Sequence, residues 1–344
     1  MITMKAAVLE QRGAAGLQVI DFPRPQRRPG EALMRVRAAG LNRVDLYMRD
    51  NGAGITHQLP MILGVEGAGD IVEADADSPL KPGMKAVLYS AGFCGSCRYC
   101  LAGNQPLCEN LVIFGEHAHG TFAQYISVPA KYFVPLPDDA DLVEAATLMS
   151  AYLTAWRMLF GKSQLRPGET VLIVGIGSGV AVACLQLALL AGARAIVTSS
   201  SDEKIRRALN IGALHGINYR TEQVAKRVLV LTGGKGVDMV IDSVGEASWG
   251  DSLRALRRGG RLVTCGATTG SNPPADIQRL FIRQLEIYGS TGGSLGEFKE
   301  LISLFSSGRL RPVIDRRVPL DDIGAAMGHL ERGEQFGKVV ITID

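Results

Sequence analysis

The chain has 344 residues, 41 of them glycine, and 37 Lys and Arg against 34 Asp and Glu, for a net charge of +3. That length supports two domains with substantial cores. Basic residues are scattered without a Lys/Arg block and aromatic residues make up only 6%, so neither nucleic acid nor a membrane surface is indicated as a partner, and a small-molecule substrate is expected.

In chain order, the first segment with a chemical signature runs from Gly92 to Cys108, where Cys94, Cys97, Cys100 and Cys108 form a C-x2-C-x2-C-x7-C array. Four thiolates at this spacing can close a tetrahedral cage around one zinc. Such a site has no open coordination position, so it is structural and the chemistry lies elsewhere. Four plain thiols, two disulfides or an iron–sulfur cluster are the alternatives, and the tight spacing in a polar segment favours zinc. The remaining cysteines, Cys184 and Cys265, sit in apolar stretches, and nothing resembles a secretory signal. The expected compartment is a reducing cytoplasm. Just downstream, His117-Ala-His119 offers two imidazoles, but without a third ligand nearby the pair reads as loop surface. His57, His215 and His329 stand in no motif.

The stretch from Thr170 to Ala193 carries no charged residue and is long enough to span a bilayer. Gly175, Gly177, Gly179 and Gly192 argue against that and point to a buried strand, a glycine turn and a helix. Gly175, Gly177, Ser178, Gly179 and Val180 then form a phosphate-binding turn. Its glycines let the backbone approach a pyrophosphate, whose charge meets the free N–H groups of the helix N-terminus. A strict G-x-G-x-x-G template fails at its sixth position, Val180, so the assignment rests on context. A second strand at Ala195-Ile-Val-Thr and further apolar runs from Val237 and from Gly260 alternate with helical stretches, which implies a parallel sheet wound on both faces. Ligands of such sheets bind at the carboxyl ends of the strands, which places Val244, Gly266 and Ala267 at the cofactor. At the end of the second strand, Ser199, Ser200 and Ser201 stand where an NAD site commonly has an Asp or Glu for the ribose. Lys204, Arg206 and Arg207 follow, so NADP(H) is expected, with NAD(H) as the alternative. Asp202 and Glu203 read as first-turn residues of the next helix, where acidic groups suit the dipole.

The cysteine array, the glycine turn and the terminal Gly337-Lys-Val-Val-Ile together resemble the medium-chain dehydrogenase/reductase family, the group of zinc alcohol dehydrogenases and quinone oxidoreductases, over essentially the whole chain. The resemblance implies an α/β fold. Residues 1–151 would form a GroES-like β-barrel catalytic domain with a zinc lobe at about 92–110, residues 152–291 a Rossmann doubly wound parallel sheet, and residues 292–344 a return to the catalytic domain. Leu153-Thr-Ala sits where members bring a threonine to the nicotinamide, which implicates Thr154, and Tyr219 falls where NADPH-using members often place a tyrosine near the 2′-phosphate. Gly175-Ile-Gly-Ser-Gly-Val-Ala181 is similar to the Gly-Ala-x-Gly-Gly-Val-Gly turn of the quinone oxidoreductase branch, with Ser178 adding a hydroxyl that could donate to phosphate. Gln284-Leu-Glu-Ile-Tyr-Gly-Ser lies where members pair edge strands, which implies a homodimer or a tetramer.

Departures from the family pattern carry as much information. Its alcohol dehydrogenases hold a catalytic zinc with a Cys, the His of a Gly-His-Glu signature and a later Cys or Asp. Here those places hold Asn42, Val65 of Gly64-Val-Glu-Gly-Ala-Gly69, and Met149-Ser-Ala151, with Glu66 alone kept, so no catalytic metal is expected. Asn42, Asp45 and Tyr47 resemble the Asn-x-x-Asp-x-Tyr pattern of the quinone oxidoreductase branch, although simple members of that branch usually lack the zinc lobe. Without a Lewis acid, reduction of an isolated ketone loses its main means of stabilising alkoxide charge. Hydride added to a quinone, enone or enoyl thioester instead spreads charge onto a carbonyl oxygen, where positioned donors suffice. Asn42 is expected to hydrogen-bond the enolate and Tyr47 to orient the carbonyl or donate a proton; the plain alternative is that both only tie loops together. In the family an acid at the Asp45 position pairs with a basic residue of the terminal Gly-Lys segment, which gives Lys338 a supporting role near the cofactor. The expectation is an NADPH-dependent reductase of a quinone or activated double bond with one structural zinc. Two alternatives stand beside it: an alcohol dehydrogenase whose zinc uses Glu66 with His57 or His119, and a nucleotide-binding sensor or crystallin-like protein without turnover.

Overall fold

The strand Glu31–Leu41 spans 11 residues and is buried along most of its length, so every backbone N–H and C=O on it needs a partner from a neighbouring strand. In the computed structural model, which describes residues 2–52 and 58–344, both edges are covered. Gly67–Glu73 pairs antiparallel along one edge. On the other, Tyr125–Pro129 covers residues 31–35 and Lys338–Thr342 covers residues 38–41. The sheet continues through Lys85–Leu88 to Phe133–Pro135 on one side and to Ile314–Pro319 on the other, and a smaller sheet joins Leu17–Pro23, Thr3–Leu9 and Met61–Ile62. These strands build a unit comprising Met1–Leu153 and Gly293–Asp344, drawn from both ends of the chain. Register fixes its most important detail: Val339 lies opposite Leu41 and Val340 opposite Gly40, which brings Lys338 to Asn42.

The second unit, Thr154–Gly292, is a six-stranded sheet. Its order is His215–Asn218, Arg194–Ser199, Thr170–Ile173, Val237–Asp242, Leu256–Thr264, Glu286–Gly289, and every neighbouring pair is parallel. Counted along the chain this is the 3-2-1-4-5-6 order of a Rossmann sheet. The apolar run predicted from Gly260 proves to be the end of a longer strand. Pairing jumps from Val237–Leu256 to Met239–Arg261, so residues 257–260 bulge out of the ladder, as a charged Arg-Arg-Gly-Gly segment would be expected to do in an otherwise buried sheet. The uncharged stretch after the first strand is a helix of 12 residues, Gly179–Leu190, and among the described residues no helix is long and apolar enough to cross a membrane.

Asp242 ends the fourth strand fully buried. Its Oδ1 accepts from Val244 N at 2.8 Å and Gly245 N at 3.0 Å, and its Oδ2 from Ser248 Oγ and Ser252 Oγ, each at 2.7 Å. One carboxylate thereby folds the strand end over onto the following helix Glu246–Ala255. Buried donors left without an acceptor cost about 1–3 kcal/mol each, and hydroxyls can turn elsewhere more easily than amides. Asp242→Ala is therefore expected to destabilise the protein by about 2–4 kcal/mol, read as a lowered urea midpoint at unchanged m-value.

Candidate active site and zinc centre

The short strands Ala91–Gly92 and Val112–Ile113 pair antiparallel and close the base of the loop that carries the four cysteines. Their sulfurs all lie within 4.8 Å of one another; Cys94 Sγ is 3.9 Å from Cys100 Sγ and 3.6 Å from Cys108 Sγ. A disulfide requires about 2.05 Å, whereas four sulfurs placed about 2.3 Å from a central zinc stand roughly 3.8 Å apart. A multi-iron cluster, with its thiolates on separate irons, needs a wider cage. The donor set fits one closed, structural zinc. Backbone amides already point at the sulfurs, with Cys97 N donating to Cys94 Sγ at 3.4 Å and Cys94 N to Cys108 Sγ at 3.3 Å. The amides of Ser96 and Cys97 pull the Cys94 thiol down to about 5, towards the thiolate that a metal binds.

A second cluster grows from the start of the helix Arg43–Asp50, whose N-cap residue is Asn42. Asp45, three positions on, turns back and accepts from Asn42 N at 2.7 Å, the reciprocal half of a capping box. That leaves the Asn42 side chain for other partners. Its Nδ2 donates to Gly40 O at 3.2 Å and to Glu66 Oε1 at 2.9 Å, while its Oδ1 accepts from Lys338 Nζ at 2.6 Å. Lys338 Nζ also lies 2.7 Å from Glu66 Oε1 and donates to Leu41 O at 3.0 Å. Glu66 Oε2 accepts from Ser150 N at 2.7 Å, an amide in the opening of the wide π-helical segment Leu148–Tyr152, where N–H groups lack partners of their own. Glycine is required at position 40, since a Cβ there would stand 2.2 Å from Glu66 Oε1.

Glu66 and Asp45 are both fully buried, yet they are served differently. Glu66 has a cation and two neutral donors. Asp45 has the Asn42 amide on one oxygen and, among the described residues, no partner on Oδ1. Burial pushes its carboxyl up to about 8, opposed by the Asn42 amide and the charge of Lys338, so it is mostly protonated at neutral pH. Tyr47, on the same helix, is half-buried and its phenol makes no hydrogen bond among the described residues.

This geometry revises several sequence expectations. Lys338 pairs with Glu66 rather than Asp45, because Asp45 is drawn into the helix cap. All three ammonium protons have acceptors and the residue is 2% exposed, so Lys338 has no donor left for a cofactor. Both Asn42 amide protons are likewise engaged, which makes it a residue that positions Glu66 and Lys338 and not an enolate donor. Nor do the residues present suit a second zinc. Asn42 Oδ1 and Glu66 are committed to Lys338, and Val65 has no lone pair. His119 Nδ1 accepts from Ile62 N at 3.2 Å and His117 Nδ1 from Ile113 N at 3.1 Å. His57 lies outside the described residues. Among those described, the four cysteines form the only group of three or more His, Cys, Asp and Glu that could hold a metal.

In the Rossmann unit the glycine turn takes left-handed backbone at Gly175 (φ 72°) and Gly177 (φ 118°), conformations that favour glycine. It is pinned to the second strand by Gly175 N to Thr198 Oγ1 at 3.1 Å and Ile176 N to Thr198 O at 2.7 Å, a role for Thr198 that the sequence pattern did not reveal. Ser178 caps the helix Gly179–Leu190 by accepting from Ala181 N at 3.2 Å, which leaves its own proton for a phosphate, and Val180 lies in that first turn. Val244 packs on the turn, its Cγ2 3.1 Å from where a Cβ on Gly175 would lie. At the end of the second strand, Ser199 accepts from Ser201 N at 3.2 Å and Ser201 from Lys204 N at 3.3 Å, with Ser200 between them. Tyr219, exposed, is held there by its amide on Ser199 O at 3.1 Å. Asp202 accepts from Asn218 Nδ2 at 2.7 Å, which holds it beside the strand end, since Asn218 lies opposite Ser199, and Glu203 pairs with Arg206. A cavity of about 480 Å³ opens at the ends of the fifth and sixth strands, with Gly266, Ala267 and Ser290 in its wall. Thr154, half-buried, is the first residue of this unit. These residues fit a dinucleotide: a glycine turn and helix start for the pyrophosphate, and strand ends for the rest.

Comparison with known proteins agrees with this architecture. Residues 28–138 match the model of the alcohol dehydrogenase GroES-like domain and residues 175–307 that of the zinc-binding dehydrogenase domain. An alcohol dehydrogenase of Geobacillus stearothermophilus is 31% identical over 344 residues, spanning 99% of both chains. The chain belongs to the medium-chain dehydrogenase/reductase family. Within it, a zinc-type alcohol dehydrogenase-like protein of Schizosaccharomyces pombe is 34% identical over 97% of each chain. A crystal structure of an NAD-dependent alcohol dehydrogenase superposes with a TM-score of 0.95 at 37% identity, covering 99% of this chain and 100% of that one. As a medium-chain dehydrogenase/reductase, the protein is an oxidoreductase with a GroES-like unit and a Rossmann unit.

Removing one partner of a buried ion pair strands the other, at a cost of about 3–5 kcal/mol. Lys338→Met is expected to lose that much stability in urea unfolding, and Lys338→Met with Glu66→Gln to recover most of it. Metal analysis is expected to give one zinc per chain, lost in a Cys94→Ser, Cys108→Ser variant together with a lower melting temperature.

Proposed function

We propose that this protein is an NADPH-dependent reductase that delivers hydride to a quinone or an activated double bond, an enone or enoyl thioester, without a catalytic zinc. Lys338 carries this reading: its ammonium takes up the Glu66 carboxylate and the Asn42 amide oxygen, leaving no free ligand set for a metal ion there. A zinc enzyme draws alkoxide charge onto its metal. Here the positive charge belongs to a lysine sealed among three acceptors, able to lend potential but not a coordination position. A substrate that disperses its charge through conjugation suits such a site. Tyr47, whose phenol makes no hydrogen bond among the described residues, is the group that orients the acceptor carbonyl, and Asn42 holds the ammonium and carboxylate in place. The dinucleotide, when bound, supplies the hydride.

The NADPH preference rests on a strand end furnished with Ser199 and Ser200 in place of an Asp or Glu, followed by Lys204, Arg206 and Arg207, with Asp202 and Glu203 engaged by Asn218 and Arg206, a setting that suits a 2′-phosphate. The reading includes a homodimer, with a tetramer as the larger possibility. Among the described residues the sixth strand Glu286–Gly289 is an open edge, and Ile287 on it and Ile277 and Phe281 on the preceding helix are exposed, which a partner strand and helix would cover. The names of the relatives, alcohol dehydrogenases and in one case NAD-dependent, favour a second reading, zinc-dependent alcohol oxidation.

Rates of NADPH and NADH oxidation with 1,4-benzoquinone, 2-cyclohexen-1-one and crotonyl thioester, set beside alcohol oxidation with and without chelator, separate the two. The expected result is turnover of conjugated acceptors with kcat/KM at least about tenfold higher for NADPH, and a loss of roughly 10²-fold in Tyr47→Phe. Alcohol oxidation that disappears on chelation would establish the second reading instead.

A further inference from the structure

The end of the strand Arg194–Ser199 is held from two flanks. On one, the glycine turn docks through Gly175 N to Thr198 Oγ1 at 3.1 Å and Ile176 N to Thr198 O at 2.7 Å. On the other runs the edge strand His215–Asn218, in a register that sets Asn218 opposite Ser199, and Tyr219 N extends the ladder to Ser199 O at 3.1 Å. A dinucleotide with its pyrophosphate on the glycine turn places its adenosine ribose at the end of this strand, on the flank that faces the turn. Asn218 stands on the opposite flank.

Two partners fix how the Asn218 amide points. Its Oδ1 accepts from Arg220 N at 3.0 Å, the local turn that an asparagine makes with the backbone two residues on. Nδ2 is therefore left to donate, and it does so to Asp202 Oδ1 at 2.7 Å. Asp202 is exposed and opens the helix Asp202–Ile211, whose cap is Ser201. It is the first carboxylate after the strand. A carboxylate at this place can accept from a ribose 2′-hydroxyl, as the acid of an NAD site does, or repel a 2′-phosphate. The other acids nearby do not decide which, since Glu203 pairs with Arg206 and Glu222 with Arg227. The contact that decides is the one from Asn218, which draws Asp202 across to the edge strand and away from the glycine turn.

We infer that Asn218 is a positioning residue for cofactor selectivity, holding Asp202 back from the ribose so that a strand end with a carboxylate beside it still takes a 2′-phosphate. This rests on the NADPH reading above. Asp202 is then a dormant NAD determinant: with the Asn218 amide gone, it keeps its place at the helix start but loses the contact that turns it aside. Asn218 also serves the backbone, its carbonyl accepting from Thr221 N at 3.1 Å and Glu222 N at 2.9 Å, and that duty does not depend on the side chain. A serine keeps a short oxygen for the Arg220 amide and cannot reach Asp202, so Asn218→Ser isolates the one contact.

The test is calorimetric titration of the zinc-replete protein with NADPH and with NADH, in wild type, Asn218→Ser, Asp202→Asn and the double variant, with melting temperatures alongside. Wild type is expected to favour NADPH. Asn218→Ser is expected to lower the ratio of NADPH to NADH affinity about tenfold, the scale of one hydrogen bond to a charged group at an exposed site. Asp202→Asn alone is expected to leave the ratio within about twofold of wild type, and the double variant to regain the wild-type ratio. A turn that is merely loosened weakens both cofactors alike and leaves the ratio where it was. An unchanged ratio in Asn218→Ser, or a lowered one that Asp202→Asn fails to restore, would overturn the inference with the NADPH reading still standing. Should Asn218→Ser not fold, Asn218→Thr carries the same oxygen and is read in the same way. Wild type binding NADH as tightly as NADPH would overturn the NADPH reading and this inference with it.

Discussion

Much of the first unit is arranged around one carboxylate that water never reaches. An ionised carboxylate placed in a protein interior without compensation is prohibitively unfavourable, so Glu66 can exist only where a cation and directed donors are delivered to it. Those partners come from distant parts of the chain: Asn42 at a helix start, Ser150 at a wide helical turn, Lys338 on the terminal strand. Each delivery depends on backbone geometry. The pairing of Val339 with Leu41 sets the lysine, the extended Asn42 turns its amide inward, and Gly40 leaves the volume that the carboxylate fills.

Three buried carboxyls in this chain show how donors decide the outcome. Asp242 is satisfied by two amides and two hydroxyls with no cation, and its work is to fold a strand end onto a helix. Glu66 keeps a lysine and is tied to the candidate site. Asp45, with one amide and an empty oxygen, holds its proton instead. Net charge and composition are blind to these differences, which arise from whether the neighbouring backbone offers N–H groups at the right place.

What could be read in advance follows the same division. The cysteine cage was legible because all four ligands are side chains within a short local segment. Four strands of the Rossmann sheet were legible because they are largely apolar runs that end in small residues, whereas the edge strand His215–Asn218, only four residues with one fully buried, has no such run. The partner of Lys338 was not, since two acids lay within plausible reach and only the cap at Asn42 removes Asp45 from the competition. Ser150 and the Gly175 amide act through backbone N–H groups, which no residue pattern reports.

The interleaving of the two units has a consequence for how the protein is made. Residues 154–292 are synthesised ahead of 338–342, so the whole Rossmann unit leaves the ribosome before the strand Lys338–Thr342 exists. Domains tend to fold as they emerge, and the Rossmann unit can do so, but Glu66 must wait, translated early and without its counter-ion until the last strand arrives. Through that interval the first unit is an unfinished sheet with an open edge along Ala38–Leu41 and an acid that still needs water. The nascent chain is therefore exposed to mispairing along a strand segment that the finished protein buries.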